Sequence, residues 1–337
     1  MFRKQKKTVN IIIEDYIIRL LENAGQNISS VKRMAEKPLP LGLIENGKII
    51  DEIVFFEFMK DVVKEFNIKN RQARFYVPNS LVIMRQVEIP AKLNDKDIRD
   101  YIYDEVGKSI HLPFKEPVFD IHYLPNGNND SGDSQQEIRQ GTLFAASEAE
   151  VRKYTDIFVD ASLKPIAADV EALGVYRYFH HVNEISDEQV YLFIKFNVNS
   201  MDLSIFHQHQ LEFLRYEILD LQLKGSSLDE ETQEIRWEYE ETETQIHGII
   251  EDMMLELERV MNFYQFSIQK GEKKITKMVV LGDHPLLEDF YQTVQQRFEI
   301  PVQLLKGYLS NVKDKEIPKQ YIPALGLALK GGAANAS

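Results

Sequence analysis

Residues 190–216, VYLFIKFNVNSMDLSIFHQHQLEFLRY, hold three apolar runs, Val190–Phe196, Met201–Phe206 and Leu211–Tyr216, separated by short polar joints. Each run has strand length and is rich in β-branched and aromatic residues, and the joints are too short for anything but hairpin turns, so the stretch predicts three successive antiparallel strands. The start of the chain repeats the device, with Val9–Ile13 and Ile17–Glu22 as strands about a tight turn. After each set the pattern changes to alternating helix and strand. In the second half these are a long amphipathic helix carrying Ile246, Ile250, Met253, Leu257, Val260 and Tyr264, a strand over Met278–Leu281, a helix over Leu286–Phe298 and a strand over Val302–Leu305. Two halves with the same opening and the same sequel describe a duplicated α/β fold.

The first half contains more than one repeat requires. A turn at Asn46-Gly47 is followed by a helix with Phe55, Met59, Val62 and Val63 on one face. Then come a strand over Leu81–Ile89 ending at Pro90, a helix capped by Asn94 and running to Ile110, and strands over Val118–Leu124 and Thr142–Ala146. The joint Pro125–Gly141, rich in Gly, Asn, Asp and Ser, reads as a mobile hairpin tip. This strand, helix, strand, strand unit is an insert. Ser147 and Glu150 suggest a capping box opening a helix to Ala161, with a strand over Lys164–Asp169 and a helix over Glu171–His181 after it. The expected divisions are 1–75, the first part of the first half; 76–165, the insert and the return; 166–330, the second half; and 331–337, a flexible tail.

Composition narrows the function. The 337 residues contain no cysteine and carry a net charge of −13, so thiol chemistry is excluded and a nucleic-acid partner disfavoured. No apolar stretch is long enough to span a bilayer and no signal sequence is legible, which predicts a cytoplasmic protein. Residues Asp229–Glu243 hold a dense acidic run that reads as a solvated helix face or loop. Phe2 with Arg3, Lys4, Lys6 and Lys7 reads as a loose terminus.

Motifs of catalysis are weak. Gly107-Lys108-Ser109 lacks the glycine and the strand that a phosphate loop needs and reads as a helix end. His180-His181 and His207/His209 lack metal-ligand spacing and no metal site is expected; His207 and His209 read as solvated. Asp169 and Glu171 could form a carboxylate pair, though a strand-end acid and a helix-start acid are common structural features.

Several segments in order resemble the PilM family, actin-like cytoplasmic proteins of type IV pilus assembly related in fold to the division protein FtsA. They are Val77–Pro90, the helix containing Tyr103-Asp104-Glu105 and its Ile110–Phe114 sequel, Ala145-Ala146-Ser147, Leu163-Lys164-Pro165, Ala168–Leu173, Asp202–Phe206 and Pro323–Leu329. The resemblance covers nearly the whole chain. It implies an actin-like, duplicated ribonuclease-H-like fold with the insert as a subdomain and a nucleotide cleft between the halves. It also implies a groove near the insert for the cytoplasmic N-terminal tail of a PilN-like single-span membrane protein, a ring or other homo-oligomer, and attachment to the inner face of the membrane through a partner.

The cleft of that family takes an Asp and a Gly at each of two strand turns. Here Ile12 and Glu14 stand at the first, Lys195 and Asn197 at the second, and the adenine-side glycine run is reduced to Gly282-Asp283-His284. ATP with Mg²⁺ is therefore not expected, and a Lys195–Glu14 salt bridge closing the cleft is. The expectation is a non-catalytic scaffold, with Val82, Met84, Arg85 and Val87 as one wall of the peptide groove by position. The alternatives are an ATP-binding actin-like switch whose motifs have drifted and an FtsA-like membrane tether.

Overall fold

The computed structural model describes residues 7–25, 27–123, 138–231, 234–309 and 316–331. Strands β1 (Lys7–Glu14), β2 (Ile17–Ala24) and β3 (Val31–Pro38) form a meander, followed by a small hairpin of β4 (Ile44–Glu45) and β5 (Lys48–Ile49), helix α1 (Glu52–Glu65) and β6 (Gln72–Tyr76). The insert comprises β7 (Ile83–Pro90), α2 (Asp95–Glu105), β8 (Pro117–Tyr123) and β9 (Ile138–Ser147). The chain returns through α3 (Glu148–Asp160), β10 (Lys164–Asp169) and α4 (Glu171–Val182). The second half runs β11 (Val190–Phe196), β12 (Ser200–His207), β13 (Gln210–Ile218), β14 (Leu223–Leu228), β15 (Ile235–Tyr239), α5 (Glu243–Asn262), β16 (Lys277–Gly282), α6 (Leu287–Arg297), β17 (Val302–Leu304), β18 (Gly307–Tyr308), β19 (Glu316–Ile317) and α7 (Ile322–Ala328).

The two main sheets have one plan. In the order β3-β2-β1-β6-β10 and in the order β13-β12-β11-β16-β17, three antiparallel strands are extended by two parallel ones. Alternation along the strands sorts their side chains into layers. Val9, Ile11 and Ile13 pack with Phe55, Met59 and Phe158 of α1 and α3, whereas Ile12 points into a central core with α4 and α7. Tyr191 and Phe193 join that central core from the other sheet, and Leu192, Ile194 and Phe196 face α5 and α6. The molecule is thus a stack of helices, sheet, helices, sheet, helices, with α1/α3 and α5/α6 outermost and α4/α7 shared between the sheets. The central pair touches closely: a Cβ on Gly326 would sit 2.0 Å from Gly174 O.

The insert folds as read from sequence, with α2 on a sheet of order β7-β9-β8 and its own core of Val87, Ile89, Ile98, Ile102 and Leu143. Four expectations change. The helix after Asn94 stops at Glu105, because Gly107 takes φ of +84° and turns the chain. Ser147 is the N-cap of α3 but makes no side-chain bond there, and Glu150 instead faces Lys153 at 3.3 Å, so the capping box does not form. The acidic run lies on and beside the β14–β15 hairpin, which buries one face. Strand β10 pairs with β6 along its length, so the first sheet extends to Asp169, past the division expected at 165/166. Lys330, the last residue of the expected second half, is fixed on Asp169 at 3.0 Å. Of the expected hairpin tip, residues 124–137 lie outside the described residues, as do 1–6 of the basic terminus and 332–337 of the tail.

Candidate functional site: a latched cleft and an adjoining groove

Lys195 lies on β11, opposite Asp202 in the β11–β12 hairpin, at the bottom of the cleft between the halves. Its Nζ is 2.6 Å from Glu14 Oε1 at the end of β1, contacts Glu171 Oε1 at the start of α4, and is 3.8 Å from Asp202 Oδ2. Glu171 also accepts from Asn79 Nδ2 at 2.9 Å. Asn197 donates from its backbone N to Ser200 O at 2.8 Å, closing the hairpin turn, and its side chain lies 3.5 Å from Asp202 Oδ2. The Glu14–Lys195 bridge expected from sequence forms, as part of a larger cluster in which three carboxylates share one ammonium.

That ratio sets the protonation. Burial pushes the Glu14 carboxyl up to about 8, opposed by Lys195 and assisted by Glu171 and Asp202. Burial likewise pushes Asp202 up to about 7 against the pull of Lys195. Burial opposes charge on Lys195 too, but Glu14, Glu171 and Asp202 together outweigh it and hold the ammonium above its usual range. The asymmetry follows from number: the lysine has three partners, and each acid has a share of one. The cavities flanking Lys195 have volumes of about 20 and 10 Å³, room for about one water each.

A second ionic contact joins the halves nearer the mouth. Arg19 Nη2 lies 2.6 Å from Asp283 Oδ2, while its Nε donates to Glu36 Oε2 at 2.9 Å and Tyr16 OH donates to Asp283 Oδ1 at 2.7 Å. Burial favours the neutral acid, yet Arg19 and the Tyr16 bond hold Asp283 below the ordinary carboxylate value. Gly282 has φ of +132°, and a Cβ there would fall 2.0 Å from Phe196 O, so the strand turn admits only glycine. His284 stacks on Phe196 with centroids 4.1 Å apart, and burial lowers its pKa to about 4, keeping the ring neutral. Over the mouth lies the β14–β15 hairpin, where Trp237 meets the Tyr16 ring edge-on at 4.9 Å. Ile12 is fully enclosed in the central core.

Beside the cleft, a groove of about 300 Å³ separates the insert from the first half. Val82, Val118, Phe119, Phe144, Val151 and Leu173 give it an apolar lining, and Arg99, Asp120, Asp169 and Lys330 are its polar edges. A smaller hollow of about 160 Å³ continues from it past Phe144 and Leu173 to His122 and His209. Of the wall residues expected from position, Val82 lines the groove. Met84 is half-buried against the central core, Arg85 is exposed and donates to Met84 O at 3.0 Å, and Val87 points into the insert's own core. Sequence reasoning missed the larger share, from β8, β9 and α4.

The other candidates resolve into structure. Asp169 is held by Arg177 at 3.2 Å as well as by Lys330, and Glu171 by Lys195, so each carboxylate has its own cationic partner. His207, expected in solvent, is buried with Nδ1 3.4 Å from Glu212 and 3.1 Å from Lys273 Nζ. His209 contacts Tyr176 OH at 3.0 Å and Asp187 at 3.2 Å.

A family model described as "Type IV pilus assembly protein PilM" matches residues 12–331. No curated protein matches the chain by sequence. Among solved structures, a PilM-PilN type IV pilus biogenesis complex superposes with a TM-score of 0.70 at 18% identity, covering 96% of this chain and 98% of that one. The ethanolamine utilization protein EutJ from Carboxydothermus hydrogenoformans superposes with a TM-score of 0.50 at 10% identity, covering 96% and 90%. The fold is the actin-like one expected from the sequence.

Proposed function

The chain belongs to the PilM family of type IV pilus assembly proteins, and from that premise we propose that it is a non-hydrolytic scaffold of a pilus-type assembly machine that binds the N-terminal tail of a PilN-like membrane protein. The observation that carries this reading is the groove between insert and first half. It is apolar along its floor, polar at its edges, and bounded by β8, an edge strand of the insert's sheet. Extended peptides bind such places by adding backbone hydrogen bonds to a strand edge and burying alternate side chains in pockets. On β8, Phe119 O accepts from Arg99 Nη2 at 3.3 Å and Pro117 O from Tyr103 OH at 3.5 Å, long bonds that a partner's backbone N–H would replace. The similarity to a PilM-PilN complex supports a PilN-like partner for this chain.

The residues at the cleft do not fit ATP–Mg²⁺. A polyphosphate would meet the Glu14 carboxyl at the first turn, Lys195 beside it is already shared among three acids, and Arg19, which lines the same small cavity, is held by Glu36 and Asp283. The small cavities beside Lys195 leave no volume for a phosphate there, and the larger cavity of about 390 Å³ lies at the mouth, lined by Arg19, Asp283, His284 and Lys319. The scaffold is therefore held closed by its own side chains. No helix among the described residues is long and apolar enough to cross a membrane, so attachment at the inner membrane face would come through the partner.

The test is titration of the protein with a synthetic peptide of the partner's tail, alongside Val118→Asp. Val118 lines the groove and is 41% exposed, so the variant keeps its fold. Saturable binding that falls at least about tenfold in the variant supports the reading. No binding, or equal binding by both proteins, contradicts it.

A further inference from the structure

The insert's sheet has two faces, and α2 covers one of them. Phe119 and Ile121 of β8 pack toward α2 in the insert's own core. Val118, Asp120 and His122 alternate with them and turn to the other face, where the register sets them beside Ala146, Phe144 and Thr142 of β9. That face looks across to α4 and to the β12–β13 turn of the second half. The gap is the groove of about 300 Å³ and, past Phe144 and Leu173, the hollow of about 160 Å³. Of the three outward residues, Val118 lines the groove, His122 the hollow, and Asp120 both.

The far wall of the hollow is held in place. The β12–β13 hairpin turns through Gln208 and His209, with left-handed φ of +48° and +63° at positions that favour Asn and Gly. His209 secures the turn with both ring nitrogens, Nδ1 3.0 Å from Tyr176 OH and Nε2 3.2 Å from Asp187. Backbone strain of this kind persists where contacts over-determine it, and it collects at ligand clamps. Charge at the junction has one sign. Asp120 is exposed, its Oδ1 accepts from Ile121 N at 3.0 Å, and it makes no ion pair among the described residues. The groove's own cations are engaged: Arg99 bonds the Phe119 carbonyl at 3.3 Å, and Lys330 is held by Asp169 at 3.0 Å. The hollow has neither lysine nor arginine in its lining. Cytoplasmic segments beside a membrane span carry an excess of Lys and Arg, the charge that this junction lacks.

We propose that the hollow is a second subsite for the partner's tail, in which Asp120 binds a lysine or arginine side chain. The inference rests on the reading of the adjoining groove as the tail site. A strand added to the edge of β8 lays alternate side chains on this face about 7 Å apart. An apolar side chain over Val118 therefore sets the side chain two residues along at Asp120, and a tail seated in this way touches the second half at the β12–β13 turn.

Titration of the synthetic tail peptide into the full chain tests it, with Asp120→Asn and Val118→Asp, and with peptides in which each Lys and Arg is replaced in turn by Gln. Asn keeps the acceptor for Ile121 N on an exposed residue, and near-ultraviolet circular dichroism checks that the variant stays folded. Asp120→Asn should bind the parent peptide at least about tenfold more weakly than the wild type. One Gln peptide, its replaced residue two positions from an apolar one, should lose as much against the wild type and nothing further against Asp120→Asn. A smaller loss in Asp120→Asn, or losses that add in full at every Lys and Arg, overturns the second subsite, and weakened binding by Val118→Asp then leaves the groove reading standing. No binding by the wild type, or equal binding by Val118→Asp, overturns the groove reading and the subsite with it.

Discussion

Replacing Lys195 by Met keeps the length of the side chain and removes the only charge that balances Glu14, Glu171 and Asp202. Breaking a buried ion pair by deleting one partner costs about 3–5 kcal/mol, mostly because the remaining charge is left without compensation. The pH dependence identifies the source of the loss. In the native protein Glu14 is raised to about 8 and Asp202 to about 7. The folded state therefore holds protons that the unfolded chain releases near ordinary carboxylate values. Their contribution to stability is complete below those ordinary values and is lost as pH rises through 7 and 8. Without the ammonium, both acids hold their protons to higher pH. Each one that stays protonated only in the folded state then steepens the decline by about 1.4 kcal/mol per pH unit. The deficit of Lys195→Met should be near 3 kcal/mol at about pH 6 and 5 kcal/mol or more at about pH 9. Urea unfolding followed by fluorescence of Trp237, the single tryptophan, measures it directly, since that ring sits on Tyr16 across the cleft mouth. A second substitution, Glu14→Gln, should return part of the loss. A deficit below about 1 kcal/mol, or one independent of pH, would refute the account of the cluster.

Asp283→Asn should cost about 3 kcal/mol near neutral pH by leaving Arg19 with Glu36 alone, and nothing well below the ordinary aspartate value. Because Asp283 is held low, its contribution is present above that value and lost as pH falls, which urea unfolding at two pH values measures. Gly326→Ala forces a methyl against the α4 backbone at Gly174 and should cost about 1–3 kcal/mol, seen as a lowered thermal midpoint. Arg99→Ala should cost no more than about 1 kcal/mol of stability and weaken tail binding, since Arg99 is on the groove's edge, where it bonds the Phe119 carbonyl at 3.3 Å and lies over the Phe119 ring at 5.4 Å. Paired stability and peptide-titration measurements check both halves of that statement.

The duplication was legible because hairpin strands followed by helices with one apolar face recur in both halves, although only two of the first half's three hairpin strands were legible and β3, with its polar and half-buried residues, was not. Nor was strand β6, because Arg74 breaks its apolar run. The arginine is buried by a long-range contact, with Nη1 3.4 Å from Ala328 O, that no local pattern announces. The β14–β15 hairpin was obscured by its acids. Yet Ile235, Trp237 and Tyr239 alternate with Arg236 and Glu238, a period-two signal that outranks charge count when an aromatic cluster waits to cover one face. At the cleft, the opposite charges at facing turns foretold the Glu14–Lys195 bridge. The roles of Glu171 and Asp202 were hidden, although hairpin register alone sets Asp202 across from Lys195. The groove was least legible, because its walls come from the insert, α3 and the start of α4, and only folding assembles them.

The central claim joins a working groove to a cleft that needs no nucleotide. It is tested most directly by calorimetric titration of the tail peptide into the full chain, with and without saturating ATP–Mg²⁺, after a nucleotide-only titration. The account predicts no heat from the nucleotide and the same peptide affinity in both conditions. Clear nucleotide binding, or a peptide affinity that appears only with nucleotide, would contradict it.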